Sequence, residues 1–219
     1  ATMRSEIARM LKDPRARRRA EVFFSDWLGL GGLDNLRPNE ERFPHWRPEL
    51  AADMRAESLA FFREVVWEQA RPLADILNAQ LTYLTPRLAR HYNLPVELEG
   101  ADDVPQRVDL KSIPSRGGLL TQGSVLTVGG DEASMVARGL FVLHEALRGT
   151  VKDPPPCVDA TPVPSKAGLT QRGIALERIG NPSCGGCHVK FEPLAFGLEK
   201  FDGLGSYHEA DEHGNPLRE

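Results

Sequence analysis

The stretch Cys184-Gly185-Gly186-Cys187-His188 constrains this chain more than any other, because two thiols at this spacing with a histidine directly behind them suit few structures. The pattern is that of covalent haem c attachment. Two thiols add to the two vinyl groups on one porphyrin edge, and the histidine reaches under the ring to offer iron a neutral imidazole. Gly185 and Gly186 keep the turn free of side chains where it approaches the macrocycle. Two other uses of the spacing fit less well. A dithiol redox pair wants a thioredoxin-like βαβ setting, whereas the periodicity here is mostly helical. Structural zinc needs four ligands, which Cys184, Cys187, Cys157 and a histidine only just supply. The chain holds three cysteines, an odd number that cannot close as a disulfide framework. Once the pair is set aside, Cys157 remains and is read as a small buried side chain, the alternative being a partner thiol on another chain or segment.

Composition narrows the surroundings of that motif. A net charge of -4 argues against a broad nucleic-acid surface. Mean hydropathy is -0.35, and no run approaches the roughly 20 apolar residues of a bilayer helix. With 41% hydrophobic and 26% charged residues the chain is ordinary globular material, and 219 residues suffice for one good-sized domain or two small ones. No phosphate-binding loop, nucleophile elbow or H-E-x-x-H pair occurs. The Arg15, Arg17, Arg18, Arg19 cluster reads as a solvated helix face, and the Asp211 to Asn215 turn has too few carboxylates for calcium.

The pattern predicts a mostly α fold: a helical module over 1–100, expected as scaffold or docking surface, and a smaller c-type-cytochrome-like helical haem module over 101–219, joined by a proline-rich strap. Helices are expected at 2–12, from Pro14 to about Leu28, at 48–69, 72–78, 86–92, 118–127, 134–147, 169–179 and 192–201, with prolines at several first-turn positions. Arg107 to Leu110 reads as one short strand, 31–48 as loop, and Lys152 to Pro164 as an extended strap. The chain opens directly in amphipathic helix and ends in a polar turn. It is therefore expected to be a piece of a longer protein whose export signal lies upstream.

The chain resembles the planctomycete-type cytochrome-domain proteins, exported multidomain proteins built of uncharacterised domains. The likeness is carried by Met10 to Arg17 with Trp27-Leu28-Gly29, by Asp34-Asn35-Leu36, and by Leu81 to Leu84 with Leu88 to Tyr92. It continues through Arg116 to Gln122 and Arg138-Gly139, and through Cys184 to His188 leading into Phe191 to Glu199 and Phe201 to Gly205. It implies an exported, haem-bearing protein and supplies no substrate. The chain departs from the commonest version at Ala133 to Val136 and at Tyr207-His208.

From these residues one haem c is expected, held by Cys184, Cys187 and His188, with Phe191, Pro193, Leu194 and Phe196 as the apolar wall beside it. No methionine follows His188, so a distal ligand comes from Met135 first, then His208, then His91 and His144. The implied role is one-electron transfer with a partner redox protein or other subunits of a larger complex, in the periplasm or at the cell surface. The alternative is a haem enzyme of peroxidase or oxygenase type with an open distal site.

Overall fold

Proline and capping side chains set where the helices begin. In the computed structural model, which describes residues 2–218 apart from 155–157, 159, 160 and 162, helix α1 (Met3–Leu11) starts behind Thr2, whose hydroxyl accepts from Ser5 N–H. Asp13 caps α2 (Pro14–Trp27) by accepting from Arg15 N–H at 2.9 Å, with proline in the first turn. Cys157 and much of the expected strap lie outside the described residues. Helices dominate and the only named sheet among the described residues has two strands, so the fold is mostly α as expected. No helix among the described residues is long and apolar enough to cross a membrane.

The chain divides into two compact units, each drawing on more than one stretch of sequence. The first takes Ala1–Arg37, Arg47–Ala89 and Val96–Leu120. Its centre is α3 (Pro48–Arg63), which buries Leu50, Met54, Phe61 and Phe62, the last stacked on Phe24 of α2 with ring centroids 4.1 Å apart. The apolar stripe of α1, by contrast, stays at the surface: Met3, Ile7, Met10 and Leu11 are all exposed. After the short helix α4 (Asp75–Asn78), strand β1 (Leu81–Leu84) pairs antiparallel with β2 (Gln106–Asp109), Leu81 opposite Asp109. The expected strand is therefore real, displaced by one residue, but its partner is one that the sequence pattern does not announce. Only four residues long and followed by Pro86 at the start of α5 (Pro86–His91), β1 has no period to reveal it and no hairpin turn joining it to β2.

Buried acids knit this unit. Glu64 accepts from Tyr83 O–H at 2.7 Å and from Arg107 Nε at 2.9 Å, while Asp53 takes Arg87 on both oxygens. Burial and the bond to Glu64 push the Tyr83 hydroxyl up to about 12.

The second unit takes Pro38–Trp46, Arg90–Pro95 and Thr121–Glu219. Where one helix is expected over 118–127, the chain instead makes a 3-10 turn at Leu119–Thr121, α6 (Gly123–Leu126) and a second 3-10 turn at Thr127–Gly129. Glycines at 123, 129 and 130 break the run. Ser134 then caps α7 (Met135–Phe141), and α8 (Gln171–Gly180) begins at Thr170, whose hydroxyl accepts from Gly173 N–H at 3.1 Å. The segment expected as a last α-helix is a 3-10 run, Glu192–Leu198, with Pro193 in its first turn and Gly197 near its end. Both α3 and α7 finish in a π-helical turn, Glu64–Glu68 and Val142–Ala146, each followed within two residues by a left-handed residue, Ala70 (φ 45) and Arg148 (φ 54).

Two neighbouring residues of α7 organise this unit. Arg138, 1% exposed, sends its guanidinium to the carbonyls of Leu126, Leu198, Phe201 and Asp202. At Gly139 the helix lies so close to the chain after α9 (Gly185–His188) that a Cβ would stand 2.3 Å from the Phe191 carbonyl oxygen. Gly139→Ala is expected to destabilise the protein by about 1–3 kcal/mol through overpacking against rigid backbone, as measured by urea unfolding; Gly186→Ala, whose Cβ would meet nothing within 4 Å, is the control with little effect.

Candidate functional site

The thiol pair sits on the single turn α9, and its local bonds explain why the sequence turns there. Asn181 closes the end of α8: its carbonyl accepts from Cys184 N–H at 3.0 Å and Gly185 N–H at 2.7 Å, and its side chain accepts from Ser183 N–H at 2.8 Å. The Cys184 carbonyl then accepts from Cys187 and His188 N–H groups, both at 3.2 Å. Gly185 is required by this geometry, since a Cβ would lie 2.1 Å from the Ile179 carbonyl oxygen, whereas Gly186 faces open space. The first glycine is thus explained by the approach of α8 rather than by room for a ligand.

Neither Cys184, half-buried, nor Cys187, exposed, is in a disulfide. His188 is half-buried beside Phe191, their ring centroids 5.0 Å apart. The rest of the expected wall is spread out. Pro193 is exposed and Leu194 half-buried, while Phe196 packs against the buried cluster of Met135, Ala175 and Ala195 beneath the Arg172 guanidinium, 4.6 Å from its ring centre.

Two polar atoms of the site are buried without a partner: His188 Nδ1 and Glu192 Oε2, which face one another at 3.5 Å. Glu192 has no exposed surface, and its other oxygen, Oε1, receives Arg178 Nε from α8 at 2.9 Å. In the sequence Glu192 stands out only within a stretch that carries the resemblance noted above. Its one signal is an acid in an otherwise apolar stretch, four residues after the motif histidine.

The distal candidates lie elsewhere in the unit. Met135, 1% exposed, and His208 line one cavity of about 430 Å³ together with Ser165, Gln171, Glu199 and Phe201. Cys184, Cys187 and His188 do not line it. His208 Nε2 meets Asp202 Oδ2 at 2.9 Å, His91 Nε2 meets the Leu204 carbonyl at 2.9 Å, and His144 sits half-buried in the π-helical turn after α7. No cluster of three or more histidine, cysteine or carboxylate side chains fit for a metal ion occurs among the described residues. What the arrangement offers chemically is two available thiols, an adjacent imidazole, and a buried carboxylate aimed at that imidazole.

Comparison with known proteins adds a domain reading. Residues 1–94 match the PSD4 family, described as protein of unknown function (DUF1592), and residues 116–211 match the PSCyt3 family, described as protein of unknown function (DUF1588). Both are planctomycete cytochrome-like domains. The PSCyt3 match spans α7, α8, the thiol turn and the Glu192–Leu198 run. No curated protein and no solved structure matches the chain.

The His208–Asp202 pair makes this unit sensitive to pH. The hydrogen bond and charge of Asp202 raise His208, against partial burial; burial pushes Asp202 up, but bonds from His208 and from the Leu204 and Ser206 N–H groups outweigh it and leave the carboxyl lowered. Because the folded His208 binds its proton more tightly than the unfolded, its contribution is complete below about 6.5 and is lost as pH rises through the raised folded value. Urea unfolding across neutral pH is expected to show stability falling with rising pH, and His208→Gln to flatten that part of the profile.

Proposed function

We propose that this chain is an exported c-type cytochrome module that carries one haem c and passes single electrons to or from a partner redox protein. The reading rests on one observation: Cys184, Cys187 and His188 share a single turn, both thiols are outside any disulfide, and the turn lies within a cytochrome-like domain match. The donor set suits the group. The two thiols supply thioether sulfurs, and His188 supplies the imidazole, its buried Nδ1 facing the Glu192 carboxylate at 3.5 Å. Haem c bound there would supply a one-electron iron couple.

The chain's own residues then hold and shield that site. Phe191 packs the His188 ring, and Val189, directly after the motif, and Leu176 of α8 are 52% and 53% exposed. Phe191, Pro193, Leu194 and Phe196 form the proposed wall, and Met135, then His208, then His91 and His144, are the proposed distal ligands. Thioether attachment belongs to exported proteins, so the periplasm or the cell surface is the proposed location. A net charge of -4 suits a basic partner or other subunits of a larger assembly.

A haem enzyme with an exchangeable distal site is the second reading, favoured by the engagement of the distal candidates: Met135 in a packed cluster, His208 on Asp202 and His91 on Leu204. Rapid cyanide binding to the oxidised protein would select it over electron transfer.

Expression with a haem-attachment system is expected to yield one haem per chain that resists acid–acetone extraction and gives a c-type pyridine haemochrome. Loss of both Cys184 and Cys187 to Ser should release the group, and His188→Ala should abolish the low-spin spectrum. A protein that takes up no haem and instead retains zinc through Cys184 and Cys187 would overturn the proposal.

A further inference from the structure

Three buried carboxylates of this protein have both oxygens met. Asp53 has Arg87 on both; Glu64 has Arg107 on both with Tyr83 added; Glu199 accepts from Thr170 on one oxygen and from Arg218 N–H on the other. Glu192 departs from that pattern. It is fully buried, Arg178 bonds Oε1, and Oε2 is left with no partner but the equally unpartnered His188 Nδ1, 3.5 Å away. That separation is slightly too long for a hydrogen bond, and a small rotation of either side chain closes it. A buried acceptor and a buried ring nitrogen facing each other are costly apart and stabilising together.

We infer that Glu192 is a positioning residue for His188, accepting a hydrogen bond from Nδ1–H so that Nε2 is the nitrogen presented to iron, and lowering the reduction potential of the site. The inference rests on the haem reading above. A ligating histidine whose second nitrogen donates to a carboxylate is oriented in one tautomer and becomes a more basic, more electron-donating ligand, which stabilises the higher oxidation state. Arg178 has two effects. It fixes the carboxylate so that Oε2 is the oxygen turned to His188, and its positive charge tempers how much negative charge the imidazole sees. The backbone adds to the placement: Gly139 of α7 presses on the Phe191 and Glu192 main chain, so the carboxylate cannot drift away from the turn.

The two partners predict opposite signs. Glu192→Gln removes the charged acceptor, and the midpoint potential is expected to rise by about 59 mV or more, a tenfold shift of the one-electron equilibrium toward the reduced form. Arg178→Gln leaves the carboxylate on His188 without its counter-charge, and the potential is expected to fall. Spectroelectrochemical titration of the holoprotein reads both. A purely structural role moves the two variants in the same direction, and that result, or a Glu192→Gln potential within twofold of wild type in equilibrium constant, would overturn the inference. If Glu192→Gln does not fold, Arg178→Gln decides alone: a lowered potential supports the assignment, and an unchanged or raised one refutes it. Failure of the underlying reading is seen separately, as a wild-type protein without covalent haem.

Discussion

The guanidinium of Arg138 is the interaction on which the second unit depends. All five of its N–H groups end on main-chain carbonyls: Nε and Nη2 on Leu126, Nη1 on Leu198 and Phe201, and Nη2 also on Asp202. Desolvation lowers its pKa to about 10, which still leaves it charged at neutral pH. No acid side chain neutralises it by direct contact in that set; carbonyl dipoles do, at the ends of two short helical stretches where carbonyls lack intrahelical partners. One side chain therefore closes α6, the 3-10 run Glu192–Leu198 and the turn at Phe201 and Asp202 together. Removing it would leave four buried acceptors without their donor, a costly deletion in a protein interior.

The residue after it completes the fixation. Gly139 lies against the Phe191 carbonyl, and Gly129 lies within 2.9 Å, by its hypothetical Cβ, of Arg138 Nε. α7 consequently grips the segment that follows the thiol turn at both ends, at Phe191 by contact of backbones and at Leu198 to Asp202 by hydrogen bonds. Farther along, Gly203 packs on Gly130 and Gly205 on Gly123, with the Tyr92 hydroxyl oxygen accepting from Gly123 N–H at 2.8 Å. Such close backbone approaches use glycine for what it lacks rather than for freedom of φ, although Gly130 and Gly205 are also left-handed.

Much of this is legible in the sequence, and what is not has a physical reason. Helices α1, α2 and α3 carry long apolar periods with proline or a short polar cap in front, and they fall close to where the pattern puts them, α3 giving way to its π-helical turn over the last residues. The thiol turn is legible because three residues in five announce it. β1 is not, since Leu81, Thr82 and Leu84 are all buried and an almost fully buried four-residue strand has no alternation to read. The interruption of 119–129 and the 3-10 form of 192–198 depend on glycine and proline whose effect is decided by packing. Arg138 is beyond reach of composition altogether: arginine is a surface residue by default, and its burial follows from where distant carbonyls come to rest.

Charge placement follows the same logic in the thiol-bearing segment. An arginine among carbonyls and a carboxylate beside an arginine are both buried charges, but their environments differ in what they leave over. Arg138 has every donor met, so it can only hold structure. Glu192 has one oxygen met by Arg178 and one that is not, so the field it exerts is directional, and the direction is toward His188. A fixed carboxylate that is itself buried acts on its neighbour more strongly than one at the surface, because water screens it less. The ordering of the chain makes that field reproducible: α8 brings Arg178, α7 clamps the backbone at Phe191, and no hydrogen bond from the described residues draws His188 Nδ1 elsewhere.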